Sequence, residues 1–226
     1  MSHYAVAVFS DDGDFDRLLR PYDVKDRDYF EFVTVEYADI ASRFERFHQY
    51  NPLWSFAEFI NQFGYVRENG KWGYYCNKQG YWDWYSLDGR DYMFALKDGV
   101  ELSDGAFDYH KNDYDWLAED EAAAEDAAEF WDDFIGETKL AEPPGIWDRN
   151  YFIKRYKNKE RYVEEMRRTI PYAFITPDGV WHSAGRVGSF ASSNETVEDA
   201  DRYIQEWDDW IASDANPYVN LVDCHV

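Results

Sequence analysis

The sequence predicts an α+β protein with a mostly antiparallel sheet. Both chain ends and a central aromatic β-meander supply its strands, and amphipathic helices pack on it. Three observations carry this reading. The two ends are β-like, the segment 65–102 alternates turn dipeptides with short aromatic runs, and several apolar stripes recur at helical spacing. No internal repeat is visible. The whole chain, 1–226, reads as a single domain, with residues 103–168 as a helical insertion.

Residues 3–9 alternate and are rich in Val, Tyr and Phe, which predicts the first strand. Residues 31–36 predict a second. Residues 37–49 place Ile40, Phe44 and Phe47 on one helical face. Asn51-Pro52 has the chemistry of a helix start, with a capping side chain followed by a proline that loses no needed donor. The helix after it would carry Leu53, Phe56, Ile60 and Phe63 on one face and end at Gly64. Asn69-Gly70, Asp88-Gly89 and Asp98-Gly99 are turn dipeptides. Between them lie the aromatic runs Tyr81–Tyr85 and Tyr92–Leu96.

Residues 115–135 predict a helix. Trp116, Leu117, Ala123, Ala124, Ala127, Phe130, Trp131, Phe134 and Ile135 form its apolar stripe. Pro143-Pro144-Gly145 interrupts the chain. Residues 149–168 predict another helix that concentrates Arg and Lys. Tyr172–Thr176 and Val180–Ser183 flank Pro177-Asp178-Gly179, a hairpin signal. Residues 195–212 predict an amphipathic helix with Val197, Tyr203, Ile204, Trp207, Trp210 and Ile211 inward. Tyr218–Val222 predicts the last strand.

Composition narrows the function classes. Of 226 residues, 23 are Lys or Arg and 46 are Asp or Glu, for a net charge of −23. A broad basic face for bare nucleic acid or an anionic membrane is disfavoured. The chain is 45% apolar and 20% aromatic, which sets it apart from acidic disordered tails. The run after Met1 is too short for the core of a secretory leader and has no basic flank. No stretch approaches the roughly 20 apolar residues of a membrane helix. The two cysteines, Cys76 and Cys224, form no disulfide framework and no metal knuckle, although one bridge between them stays open. A cytoplasmic setting follows as the expectation.

The acidic residues are patterned. Glu121, Glu125, Glu129, Asp132 and Asp133 lie opposite the apolar stripe of the 115–135 helix. Residues four apart rise about 6 Å along a helix. That spacing resembles a row of phosphates, which follow one another at roughly 3.4 Å of axis per strand. Such a face would suit a basic groove on a protein that handles nucleic acid. It would equally serve as a solvated acidic surface. A basic 149–168 segment that paired with it inside the fold would weaken the first reading.

Trp72, Trp82 and Trp84 are candidates for stacking on a ligand, or else core residues of the meander. Among the five histidines none has the HExxH spacing. His182, Asp223 and His225 would meet as a metal or general-base site if the last strand paired with the 180–184 strand. No nucleotide-loop, dinucleotide or nucleophile-elbow motif is present. The sequence thus calls for no cofactor and no metal, and points to a binding protein rather than an enzyme.

Three segments resemble a family of uncharacterised bacteriophage and mobile-element proteins. Trp82-Asp83-Trp84-Tyr85 with Asp88-Gly89-Arg90 is similar to its WDWY..GGR segment, with Asp88 in place of the first glycine. Thr176–His182 with Gly185 and Gly188, and the ending Val222-Asp223-Cys224-His225, are similar to its C-terminal signature. The opening strand His3–Val8 is similar too. The resemblance implies a mobile-element accessory protein. Joined to the charge, it leads to the expectation of an anti-CRISPR or anti-restriction inhibitor. Its partner would be a host protein with a basic nucleic-acid-binding groove. The alternatives are a binder or hydrolase of a nucleotide immune signal, using the aromatic meander with His182 or His225, and an acidic structural protein.

Overall fold

The computed structural model describes residues 3–87, 94–101, 109–136, 149–186 and 194–226. The architecture is α+β. Its contacts divide the chain into a large unit, residues 1–19 and 84–226, and a small unit, Arg20–Asp83. The described part of the 103–168 segment belongs to the large unit.

The large unit opens with β1 (His3–Ser10) and the short helix α1 (Phe15–Leu19). The chain then enters the small unit. There β2 (Glu31–Thr34) is followed by α2 (Tyr37–Tyr50), α3 (Phe56–Gln62), β3 (Val66–Glu68) and β4 (Lys71–Cys76). The three strands form an antiparallel sheet in the order β2-β4-β3. Asn69 and Gly70 both take positive φ, 48° and 81°, as the tight β3–β4 turn requires. At Gly73 the backbone of β2 comes so close that a Cβ would lie 2.2 Å from the Val33 carbonyl oxygen. Ile40, Phe59 and Tyr65 make the small core, with Phe44, Phe47 and Trp72 around them.

The helix expected from Asn51-Pro52 starts later. Ser55 caps α3 through a reciprocal box with Glu58. Leu53 therefore lies outside the helix and is almost fully exposed. The two amide donors satisfied at Ser55 and Glu58 outweigh the preset φ of Pro52.

The chain returns to the large unit at β5 (Trp84–Ser86), then β6 (Ala95–Leu96) and β7 (Tyr114–Asp115). The helices α4 (Glu121–Phe130), α5 (Arg149–Tyr156) and α6 (Lys159–Met166) follow. Next come β8 (Ala173–Ile175), β9 (Trp181–Ser183), α7 (Val197–Ala212) and β10 (Tyr218–His225). The five-stranded sheet has the order β5-β10-β1-β8-β9. The two chain ends form its middle, pairing antiparallel from His3↔His225 to Ser10↔Tyr218. β8 runs parallel to β1, and β9 closes the hairpin on β8. The aromatic meander thus divides. β3 and β4 stay in the small sheet, while β5 joins the edge of the large one.

One face of β1 and β10 carries Ala7, Phe9, Val219 and Leu221 against Phe174, Trp116 and Trp207. The opposite face is equally dry, with Val6, Val8, Val222 and Cys224 each inaccessible to solvent. Each such large side chain contributes roughly 1.5–3 kcal/mol by leaving water.

The helix expected over 115–135 begins only at Glu121, where Asp120 caps the Ala123 amide. Trp116 belongs to the core under α7, and Leu117 is mostly exposed. After Phe130 the chain widens into a π-helical turn, Trp131–Ile135. The single helix expected over 149–168 is two. Lys157 takes a left-handed φ of 69° and Asn158 caps α6. Asp88-Gly89, Arg90, Pro143-Pro144-Gly145, Gly188 and the first residues of the Tyr92–Leu96 run lie outside the described residues. No described helix is long and apolar enough to cross a membrane.

Candidate functional site

Charge is unevenly divided between the units. The small unit holds 8 basic and 10 acidic residues, the large unit 15 and 36. Almost all of the net charge of −23 therefore belongs to the large unit.

Within that unit α4 packs against α6, and Ala127, Phe130 and Tyr162 form their apolar seam together with Tyr156 of α5. The packing brings the basic segment 149–168 beside the acidic helices. Lys159 pairs with Asp132 at 2.7 Å. Arg167 reaches Glu119 and Glu121 at 3.3 and 3.6 Å. On the α7 side, Arg155 spans Glu165 and Asp201, Arg161 joins Asp201, and Arg168 pairs with Asp208. The basic segment thus neutralises part of the acidic surface from inside.

The five expected binding carboxylates consequently separate. Glu121 and Asp132 are spoken for, and Asp133 is half-buried in the π-helical turn. Glu125 and Glu129 stay exposed, one turn apart, with Asp126 beside them. These three make no ion pair with any described residue. Sequence reasoning placed Asp126 only at the flank of this row.

The three expected stacking tryptophans do not form one platform. Trp72 is half-buried, 6.2 Å from Tyr37 at the edge of the small core. Trp82 is buried, and its backbone bridges to Asp23. Trp84 is 52% exposed, on the edge strand β5 of the large sheet.

His182 and His225 do not meet. β9 and β10 are separated by β8 and β1 in the sheet, a span of roughly 14 Å. The expected site of His182, Asp223 and His225 is therefore not assembled. His182 instead stacks on Phe174 at 4.4 Å and bonds Glu206 of α7 at 3.0 Å. That is a packing role under the helix. The partner that Asp223 does find is His3, whose Nδ1 lies 3.0 Å from Asp223 Oδ2. The His3 and His225 rings stand 5.2 Å apart, and Trp84 meets both edge-on at 6.3 and 6.4 Å. Sequence reasoning missed His3, although pairing of the two end strands puts it opposite His225.

Among the described residues no group of His, Cys, Asp and Glu has the arrangement of a metal site. Cys76 and Cys224 are free thiols. No protein-family model, curated protein or solved structure matches this chain.

Proposed function

We propose that this chain is a phage or mobile-element accessory protein. It binds and inhibits a host protein that handles nucleic acid, by presenting an acidic, DNA-like surface. Its place of action is the cytoplasm of the bacterial host. The observation that carries the reading is the row Glu125, Asp126 and Glu129. It remains exposed while the neighbouring carboxylates are neutralised by Arg167 and Lys159. Like charges one helical turn apart cost a helix a few tenths of a kcal/mol per pair. A basic partner would reverse that cost on binding. The concentration of negative charge in one unit supports the same reading, because a one-signed field steers association.

The test is capture from bacterial lysate by the tagged chain at about 100 mM and about 500 mM salt. The expected result is a nucleic-acid-handling protein that is retained at low salt, lost at high salt and displaced by duplex DNA. The variant carrying E125K, D126K and E129K should not retain it. Retention by that variant at both salts would overturn the assignment of this surface.

A second reading, a binder or hydrolase of a nucleotide signal, draws on Trp84, exposed beside His3 and His225. Trp84→Ala should then abolish co-purification of a nucleotide. A purified chain that carries none and binds none argues against it.

A further inference from the structure

The large unit holds a groove of about 630 Å³ between the segment 114–119, α6 and the last turns of α7. Its size lies within the range of ligand-binding clefts. Trp116, Trp207 and Ile211 back its apolar part. Both indoles belong to the packed core, so this floor is rigid. Leu117 stands at the groove with 70% of its surface exposed. Its backbone is anchored on both sides. Asp115 accepts from the Leu117 amide at 3.3 Å, and the Asp120 amide donates to the Arg167 carbonyl at 2.8 Å. Leu117, expected on the inward stripe of a helix, is thus held out toward solvent beside an apolar floor.

The charge around this floor is one-sided. Four carboxylates line the groove, those of Asp115, Glu119, Glu164 and Asp208, against two cations, Lys97 and Arg168. Arg168 is spent on Asp208, and Glu119 is shared with Arg167. Asp115 and Glu164 are exposed and make no ion pair with any described residue. An acidic segment would meet these two carboxylates unfavourably, and a purely apolar one would leave them unmatched. The rim also runs on into the acidic helix, since Glu119 precedes the start of α4 by two residues.

We propose that this groove receives a protein segment in which an aliphatic or aromatic side chain is flanked by Lys or Arg. The apolar side chain packs on Leu117, Trp116 and Ile211, and the basic flanks meet Asp115 and Glu164. An anchor of this kind in a pocket supplies most of the energy of an interface, while rim charges supply rate and selectivity. The inference rests on the reading of this chain as a binder of a basic protein, and it adds an apolar anchor to the contacts of the α4 row.

The test uses the intact chain and three short fluorescent peptides, read by polarisation at about 150 mM salt. One alternates Leu with Lys, the second replaces Leu by Ser at the same charge, and the third replaces Lys by Glu. The Leu/Lys peptide is expected to bind at least about tenfold more tightly than the Ser/Lys peptide, and the Leu/Glu peptide not to bind. Leu117→Ser and Ala212→Trp, the latter filling the groove from an exposed position on α7, should each weaken it about tenfold. Glu164→Lys should weaken it about fivefold, whereas Glu45→Lys, an equal charge change on α2 of the small unit, should stay within about twofold. Equal binding of the Leu/Lys and Ser/Lys peptides would overturn the proposal, as would no binding up to about 1 mM. So would parental binding by folded Leu117→Ser, or equal effects of Glu164→Lys and Glu45→Lys. If Ala212→Trp fails to fold, Leu117→Ser and the three-peptide comparison decide. Peptide binding without capture of a host protein from lysate would leave the groove standing and sink the inhibitor reading. Capture without peptide binding would do the reverse.

Discussion

The ammonium of Lys111 lies 2.7 Å from the backbone carbonyl oxygen of Ser213, just beyond the end of α7. It also donates to the carbonyls of Trp210 and Ile211 at 3.0 and 3.2 Å. Lys111 is inaccessible to solvent, and burial pulls its ammonium below the ordinary lysine range. A cation at this position meets the negative end of the helix and satisfies carbonyls that the helix itself cannot. Its own carbonyl accepts from Trp116 Nε1 at 2.6 Å, which ties the cap to the core. Lys111→Met fills a similar volume but removes the side-chain donor to the Ile211 and Ser213 carbonyls, while the Trp210 carbonyl keeps the Ser213 hydroxyl and amide. It should destabilise the chain by about 2–4 kcal/mol. A urea midpoint unchanged from the parent would refute this account of the cap.

The break between α5 and α6 makes two opposite predictions. Lys157 holds a φ of 69°, where a side chain is strained and glycine is not. Lys157→Gly should therefore stabilise by up to about 1 kcal/mol. Asn158 accepts from the Arg161 amide at 2.9 Å, and Asn158→Ala should cost about 1 kcal/mol. Thermal denaturation of the two variants would show midpoints moving in opposite directions. Movement in the same direction would mean that the break is not set by these two residues.

These positions also show what was legible in the sequence. The apolar residues of 149–168 stop at Tyr156 and resume at Tyr162, a gap that the reading as one helix passes over. The signal that splits it is Asn158 placed as a cap before Glu160 and Arg161. In the same way Ser55-x-x-Glu58 announced the true start of α3, four residues beyond the more conspicuous Asn51-Pro52. The strands at both ends were legible because their alternation is local. The contacts of Asp223 were not, since its partner His3 lies 220 residues away and only the sheet register brings them together. The acidic row was legible as charge. Which members remain available depended on where Arg167 and Lys159 fall, and that is a matter of packing.

Glu165 gives a pH prediction. Burial raises its carboxyl above the ordinary 4.5, against the pull of Arg155 and Arg161. Between that value and the raised one, the folded chain keeps a proton that the unfolded chain has released. Its contribution to stability is therefore greatest in acid and is lost as pH rises through this window. Glu165→Gln should remove this component. The difference between the parent and variant urea midpoints should then change across mildly acidic pH and level off above it. A difference that stays constant with pH would show that Glu165 titrates alike in both states.

The acidic row makes a prediction in which stability and binding part company. Glu121, Glu125 and Glu129 succeed one another at four-residue spacing on α4. Glu125→Lys replaces two like-charged neighbours with two opposite ones, at spacings where each pair contributes about 0.2–0.5 kcal/mol. The variant should unfold at a slightly higher urea concentration, corresponding to a gain of about 0.5–1 kcal/mol. Exposed pairs of this kind are screened, so the gain should shrink as salt is raised. If the row exists to meet a basic partner, the same change should weaken capture of that partner, with Ala57→Lys on the exposed side of α3 as the comparison for added charge alone. A stabilised variant that still captures its partner at parental strength would mean that the row is only a solvated face of the helix.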